Sequence, residues 1–128
     1  MNTFVVSEKQ GEVLLPLQVI LQRLVFLPVT LWAFREMTIR YPQPFGLTVQ
    51  VFERLTRELA LGFTVGNDDL QKFLKADFQI IDGYIDAYVG QSLSSPSFTV
   101  ECLDTSQWEI RTASDTIAKE LERRGFKR

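Results

Sequence analysis

The fold is decided by residues 84–112, which read YIDAYVGQSLSSPSFTVECLDTSQWEIRT. Apolar and polar residues alternate over 84–89, 98–103 and 108–112, and a period of two is typical of strands that bury one face. The segments between these runs are rich in Gly, Ser, Asp and Thr, which favour turns. The stretch therefore predicts three consecutive antiparallel strands, a β-meander.

A further hairpin is predicted just before this stretch, with its turn at Asp82-Gly83. Residues 78–81 and 84–89 flank that dipeptide, and both segments have strand character. Asp-Gly readily supplies the positive φ angles of a type I′ turn, which is a common hairpin connection. A bulge at Gly83 within one long strand is the alternative.

The first part of the chain is more apolar and less regular. Polar residues over Leu17–Leu27 form one narrow stripe, which indicates a largely buried helix. Pro28 interrupts that pattern, and the alternation that follows favours a strand over residues 28–41, although a second helix is also compatible with it. Residues 1–15 fit either a short hairpin or a frayed terminus.

Three more helices are predicted from spacing and from their terminal residues. Thr48 is a good N-cap for an amphipathic helix that Gly62 can end, and Asn67 is a good N-cap for a short helix to about Ala76. Thr112 to Asp115 resembles a capping box before a last helix that Gly125 ends. The resulting prediction is a single α+β domain over residues 1–128: an antiparallel β-meander with helices packed on one face and a C-terminal helix, the other sheet face being open.

Composition excludes much of enzyme chemistry. The 128 residues contain no His and one Cys, so His-based acid–base catalysis, Cys–His dyads and zinc clusters are excluded, and no cofactor or metal is expected. Cys102 falls at an inward strand position, where a buried, inert thiol is expected. Two pairs of carboxylates, Asp82 with Asp86 and Asp68 with Asp69, are better explained by a turn and a helix first turn than by catalysis.

The sequence also predicts a cytoplasmic protein. The lone Cys and the lack of a basic segment before the first apolar run argue against secretion. The apolar run Val13–Phe34 is interrupted by prolines and by Arg23, whose charge at the centre of a bilayer would cost about 2.5–3.5 kcal/mol. A buried helix is the simpler interpretation of that run, and no membrane partner is expected.

Charge is distributed unevenly along the chain. Residues 64–115 contain nine acidic and three basic residues, whereas residues 116–128 contain two acidic and five basic residues. An acidic sheet region would repel nucleic acid and attract a basic protein surface. The basic tail is explained by the negative end of the last helix.

The predicted strands place most of the tyrosines and carboxylates of this region on the face away from the helices. Tyrosine buries a large area at low entropic cost, and carboxylates bind Arg or Lys of a partner. An ordinary solvated sheet face explains the same alternation. The candidate partner-binding residues are Tyr84, Asp86, Tyr88, Glu101 and Glu109.

The run from Phe98 to Thr112, FTVECLDTSQWEIRT, and the helix that ends in Arg124-Gly125-Phe126 carry one resemblance. They are similar to the closing hairpin and helix of small bacterial proteins that include immunity partners of secreted toxins. The resemblance covers about 30 residues around the DTSQWEI core. It implies a protein that binds its partner through a surface particular to each pair, so it assigns no individual functional residue here.

Together these observations predict a non-enzymatic binding protein, in its most concrete form an inhibitor or immunity protein that occludes a basic toxin site with an acidic sheet face. The alternative is an accessory subunit of a larger assembly, docked through an exposed apolar patch around Leu17–Phe34. A carboxylate-dependent enzyme is a third, weaker alternative. The oligomeric state is left open.

Overall fold

The computed structural model describes residues 1–7, 9–10, 13–14, 16–24, 27–40, 44–75, 79–90, 93–103 and 107–128, and it contains both strands and helices. The strands are β1 (Asn2–Val6), β2 (Lys9–Gln10), β3 (Val13–Leu14), β4 (Val29–Arg40), β5 (Phe63–Val65), β6 (Gln79–Val89), β7 (Phe98–Leu103) and β8 (Gln107–Thr112). The helices are α1 (Leu17–Gln22), α2 (Val49–Glu58), α3 (Asn67–Leu74) and α4 (Asp115–Arg123), with a 3-10 turn at Pro44–Gly46. None of the helices in these ranges has the length and apolar character needed to cross a bilayer.

Six strands form one antiparallel sheet in the order β1-β8-β7-β6-β4-β5, and β2 pairs separately with β3. The consecutive strands β6, β7 and β8 are neighbours, as the meander requires, so the α+β class and the C-terminal helix are confirmed. The first half of the chain contributes β1, β4 and β5 to this sheet as well. β1 pairs with β8, a long-range pairing that neither interpretation of residues 1–15 included.

The strand interpretation of residues 28–41 is confirmed for the part that the structure describes, because β4 begins at Val29, directly after Pro28. The helix predicted over Leu17–Leu27 is shorter than expected and ends at Gln22. The amide of Leu24 donates to the carbonyl of Leu21 at 2.9 Å, a tight three-residue turn that leads out of the helix.

The hairpin predicted at Asp82-Gly83 is wrong, because β6 passes through these residues as one strand. The pairing of β6 with β4 is irregular here. Thr38 pairs with Asp82 and Ile39 with Ile80, so β6 has one extra residue at that point; Arg35 pairs with Tyr84, so between Tyr84 and Asp82 the extra residue, a bulge, is in β4. Gly83, with φ of 146°, accommodates that bulge, since a Cβ there would overlap the Met37 side chain. Gly83 is therefore required by the close approach of β6 to β4 and not by a turn.

Helix ends follow the predicted caps only in part. The side chain of Thr48 accepts a hydrogen bond from a backbone amide in the first turn of α2, as expected. In α4 the N-cap is Ser114, whose side chain accepts from the amide of Ile117, so the capping box predicted from Thr112 to Asp115 is wrong. Gly62 does not end α2, whose last residue is Glu58, whereas Gly125 directly follows the C-cap of α4, as predicted.

Asn67 is not the cap of α3, because Gly66 occupies that position. The Asn67 side chain instead accepts a hydrogen bond from the indole of Trp32 at 3.1 Å. A long-range contact has therefore taken the place of the local one.

The core lies between the helices and one face of the sheet, which we call the inner face. The inner-face positions predicted on β7 and β8 are all buried, which confirms the alternation: Phe98, Val100, Cys102, Trp108 and Ile110. Helix α2 also protects the edge of β4, where the side chains of Glu53 and Thr56 accept hydrogen bonds from backbone amides of Ile39 and Met37. The helices therefore pack on the inner face, and a different set of side chains projects from the opposite face of the sheet.

Candidate functional site

The face of the sheet opposite the helices carries all five candidate residues. Tyr84 pairs with Glu101, and Glu101 with Glu109, across three neighbouring strands. Directly opposed residues project to the same side of an antiparallel sheet, so these side chains share one face. We call this surface the outer face. Its central residues are Arg35, Tyr84, Asp86, Tyr88, Thr99, Glu101, Glu109 and Arg111.

Asp86 is the most deeply placed carboxylate of the outer face, with 3% of its surface exposed. Its carboxylate accepts a hydrogen bond of 2.6 Å from Nε of Arg35 and another of 2.7 Å from the hydroxyl of Thr99. These contacts link β4, β6 and β7. Asp86 therefore offers a partner little surface and holds neighbouring side chains in place.

Glu101 and Glu109 lie opposite each other, and like charges in that position repel. Arg111 removes this conflict by donating to both carboxylates, through Nη2 to Glu101 and through Nη1 to Glu109 at 2.9 Å. Gln107 donates a further hydrogen bond of 3.1 Å to Glu109. The three charged groups form a half-buried cluster that keeps one net negative charge, which we call the Arg111 cluster.

Tyr84 lies beside the Arg111 cluster and is only half-buried. The guanidinium carbon of Arg35 lies 4.5 Å from the centre of its ring, a cation–π contact. The negative charge of Glu101, followed by burial and a hydrogen bond to Glu101, raises the pKa of the Tyr84 hydroxyl. Tyr84 is therefore a neutral aromatic group next to carboxylates, with its ring held by Arg35.

Tyr88 differs from Tyr84 in its accessibility, because only 4% of it is exposed. Burial, and to a smaller extent the charge of Asp86, raise the pKa of its hydroxyl. Tyr88 and Asp86 thus form the packed base of the outer face. Tyr84, Glu101 and Glu109 form its more accessible part, with 13% of the Glu101 side chain and 20% of the Glu109 side chain exposed.

The outer face is less acidic than the charge of residues 64–115 suggests. Its three carboxylates are balanced in part by Arg35 and Arg111. Arg111 belongs to the alternating run 108–112, two residues after Glu109, and therefore shares its face. Arg35 was missed, because the pairing of β4 with β6 joins residues 51 positions apart. No local pattern reports such a pairing.

A second candidate site lies on the helix side of the sheet, where α4 and two loops enclose a groove of about 670 Å³. Sequence reasoning missed this groove because its walls come from three separate segments. Its apolar lining includes Leu27, Val89, Pro96 and Ile117. We call it the α4 groove.

The remaining expectations concern chemistry and apolar surface. Within the described ranges no group of three or more Cys, Asp or Glu residues is placed to hold a metal ion. Cys102 is buried, and its thiol donates to the carbonyl of Ile81 at 3.3 Å.

The apolar patch required by the accessory-subunit alternative is not found in the described part of Leu17–Phe34. The large apolar side chains that are exposed in the described residues lie elsewhere: Met1, Val5, Leu59 and Leu93.

In comparisons with known proteins, no protein-family model, no curated protein sequence and no solved structure matched the chain. The similarity to bacterial immunity proteins therefore stays a prediction from the hairpin and helix that carry it.

Proposed function

We propose that this chain is a non-enzymatic binding protein that uses the accessible part of the outer face to occlude a basic surface of a protein partner. In its most concrete form it is an inhibitor or immunity protein of the cytoplasm. The observation that supports this proposal is the arrangement of Tyr84 beside the Arg111 cluster. Tyrosine and arginine are enriched among residues that dominate protein interfaces.

The Arg111 cluster suits recognition of a cation because it is pre-organised. Glu101 and Glu109 are held in fixed positions by Arg111, so binding orders few additional side chains and loses little conformational entropy. A carboxylate provides about four acceptor sites, so a Lys or Arg of the partner can join the cluster without displacing Arg111. The ring of Tyr84 supplies apolar contact area beside it.

The test is affinity capture from extracts of the source organism, with immobilised protein. The double variant Glu101→Gln and Glu109→Gln removes two negative charges from the outer face. A matched control, Glu58→Gln and Glu122→Gln, removes two from exposed positions on α2 and α4. We expect wild type and control to capture the same basic protein, in an association that becomes slower as salt rises, and the outer-face variant to lose it.

Inhibition is then measured with the captured protein in purified form. One equivalent of this chain should suppress its activity, and the outer-face variant should not. The proposal fails if the captured partner is acidic, or if both double variants retain it equally. It also fails, in its inhibitor form, if a partner binds through the outer face and keeps full activity in the complex.

A further inference from the structure

The α4 groove is a separate surface from the outer face, and its walls are fixed by hydrogen bonds. Thr112, which precedes the lining residue Ala113, is buried; its hydroxyl donates to the carbonyl of Ser97 at 2.7 Å and accepts from the amide of Ser114 at 3.0 Å. The amide of Ser97 donates to the carbonyl of Ala87, and its hydroxyl accepts from the amide of Val89. The loop wall and the start of α4 are thus joined through one side chain, so the groove is pre-formed.

The lining of the groove combines an apolar floor with hydroxyl groups on both walls. Leu27, Val89 and Ile117 contribute apolar surface, whereas Ser95 and Thr116 bring hydroxyls from opposite sides. Hydroxyls both donate and accept hydrogen bonds, so they match the amide groups of a peptide backbone. An acyl chain offers these hydroxyls no hydrogen bond. The groove is also open to solvent on one side, and a peptide can turn polar side chains to that side.

Charge at one end of the groove indicates which peptides it suits. Glu120 and Arg124 line that end, and Arg123 shares the same carboxylate of Glu120. Within the lining Glu120 and Arg124 balance each other, and Arg123, beside the groove, gives this end one net positive charge. Lys119, on the same helix, is exposed and adds to it. A carboxylate of a ligand would therefore be attracted to this end.

We propose that the α4 groove binds a short, extended, acidic peptide segment of a partner, with apolar side chains on the floor and a carboxylate beside Arg124. From Ser114 to Arg124 the helix spans ~15 Å, which accommodates about four or five extended residues. This proposal does not rest on the function proposed for the outer face, which lies on the other side of the sheet.

The test uses the full chain labelled with nitrogen-15 and four synthetic peptides. The probe is acetyl-Ser-Leu-Ile-Asp-Glu-amide, prepared also in reverse order because the groove does not fix the direction of the chain. One control peptide replaces Asp-Glu by Asn-Gln, and the other replaces Leu-Ile by Ser-Thr. We expect saturable amide shifts at residues 95–97 and 114–117 at millimolar probe, with about threefold to fivefold weaker binding of the neutral peptide.

Two pairs of variants locate the site. Arg124→Gln should reduce binding of the acidic peptide to that of the neutral one, whereas Lys119→Gln, the same charge change outside the groove lining, should preserve most of the difference. Ser95→Trp should fill the groove and abolish binding, whereas Leu93→Trp, at a neighbouring exposed position, should not. The spectrum of each free variant shows whether it is folded. The comparison of peptides on the unaltered chain does not depend on any variant.

Several results would overturn the proposal. These are the absence of saturable shifts with either peptide order, equal binding of acidic and neutral peptides, and shifts confined to the outer face. Shifts at the groove with sodium laurate but not with peptide would assign it to acyl chains instead. A partner captured through Glu101 and Glu109 has no bearing on these outcomes, so the two proposals fail separately.

Discussion

Replacement of Asp86 by Ala tests how far the outer face depends on its buried ion pair. Asp86 is 3% exposed and accepts from both Arg35 and Thr99. Breaking a fully buried ion pair costs about 3–5 kcal/mol. The Arg35 side chain is 36% exposed and can turn its charge into water, which reduces that cost. We expect Asp86→Ala to lower the free energy of unfolding by about 3 kcal/mol, and the melting temperature by about 10 °C.

The assay is urea denaturation at neutral pH, followed by the fluorescence of Trp32 and Trp108, with an unchanged dependence on denaturant. Glu58→Ala is the control, because Glu58 and Arg54 form an exposed pair at 3.9 Å. Such a pair contributes at most about 1 kcal/mol. In the double variant Asp86→Ala with Arg35→Ala, the free energy of unfolding should fall by at least ~1 kcal/mol less than the sum of the two single-variant decreases, because both variants remove the same ion pair. A loss below ~1 kcal/mol for Asp86→Ala, or full additivity with Arg35→Ala, would refute the structural role of the pair.

Two further predictions concern Tyr84 and Gly83. The Tyr84 hydroxyl should ionise above its ordinary pKa in a spectrophotometric titration compared with Tyr84→Phe, and Glu101→Gln should bring that pKa down. Because the pKa of Tyr84 is higher in the folded protein, the unfolded protein loses this proton first as the pH rises. Tyr84 therefore leaves the free energy of unfolding unchanged below about pH 10 and lowers it at higher pH. Equal titration of Tyr84 in the folded and unfolded protein would contradict this. Gly83→Ala should lower the free energy of unfolding by more than about 2 kcal/mol, because the new Cβ would meet Met37 and the residue has a positive φ. Gly90→Ala, which has open space around it, should lower it by about 1 kcal/mol. Equal losses of unfolding free energy in urea denaturation would contradict the bulge assignment.

Local patterns were sufficient to predict the elements that depend on neighbouring residues. The alternation over 98–112 predicted β7, β8 and their buried positions, and the cap at Thr48 located the start of α2. These signals act over a few residues, so a single sequence contains them. The five candidate residues could be assigned to one face of the sheet for the same reason, because side chains alternate between the two faces along each strand.

Long-range contacts account for the predictions that were wrong. Asp82-Gly83 has the composition of a turn, but its Gly is required by Met37 on β4. Asn67 has the character of a cap, but it binds the indole of Trp32. In both cases a residue type with a strong local preference was used for a contact with a distant strand. The partner in such a contact is set by strand register, which one sequence does not reveal.

The acidic segment 64–115 does not form an equally acidic surface. Asp68 and Asp69 lie in the first turn of α3, where they stabilise the positive end of the helix, and Asp86 is buried against Arg35. Net charge counted along a segment is therefore not the charge of a surface. What the outer face presents to a partner is the single net negative charge of the Arg111 cluster, together with the ring of Tyr84. Association through this face should consequently depend on salt only as strongly as one or two charge contacts require, and its specificity should come mainly from the fixed geometry of Glu101, Glu109 and Tyr84.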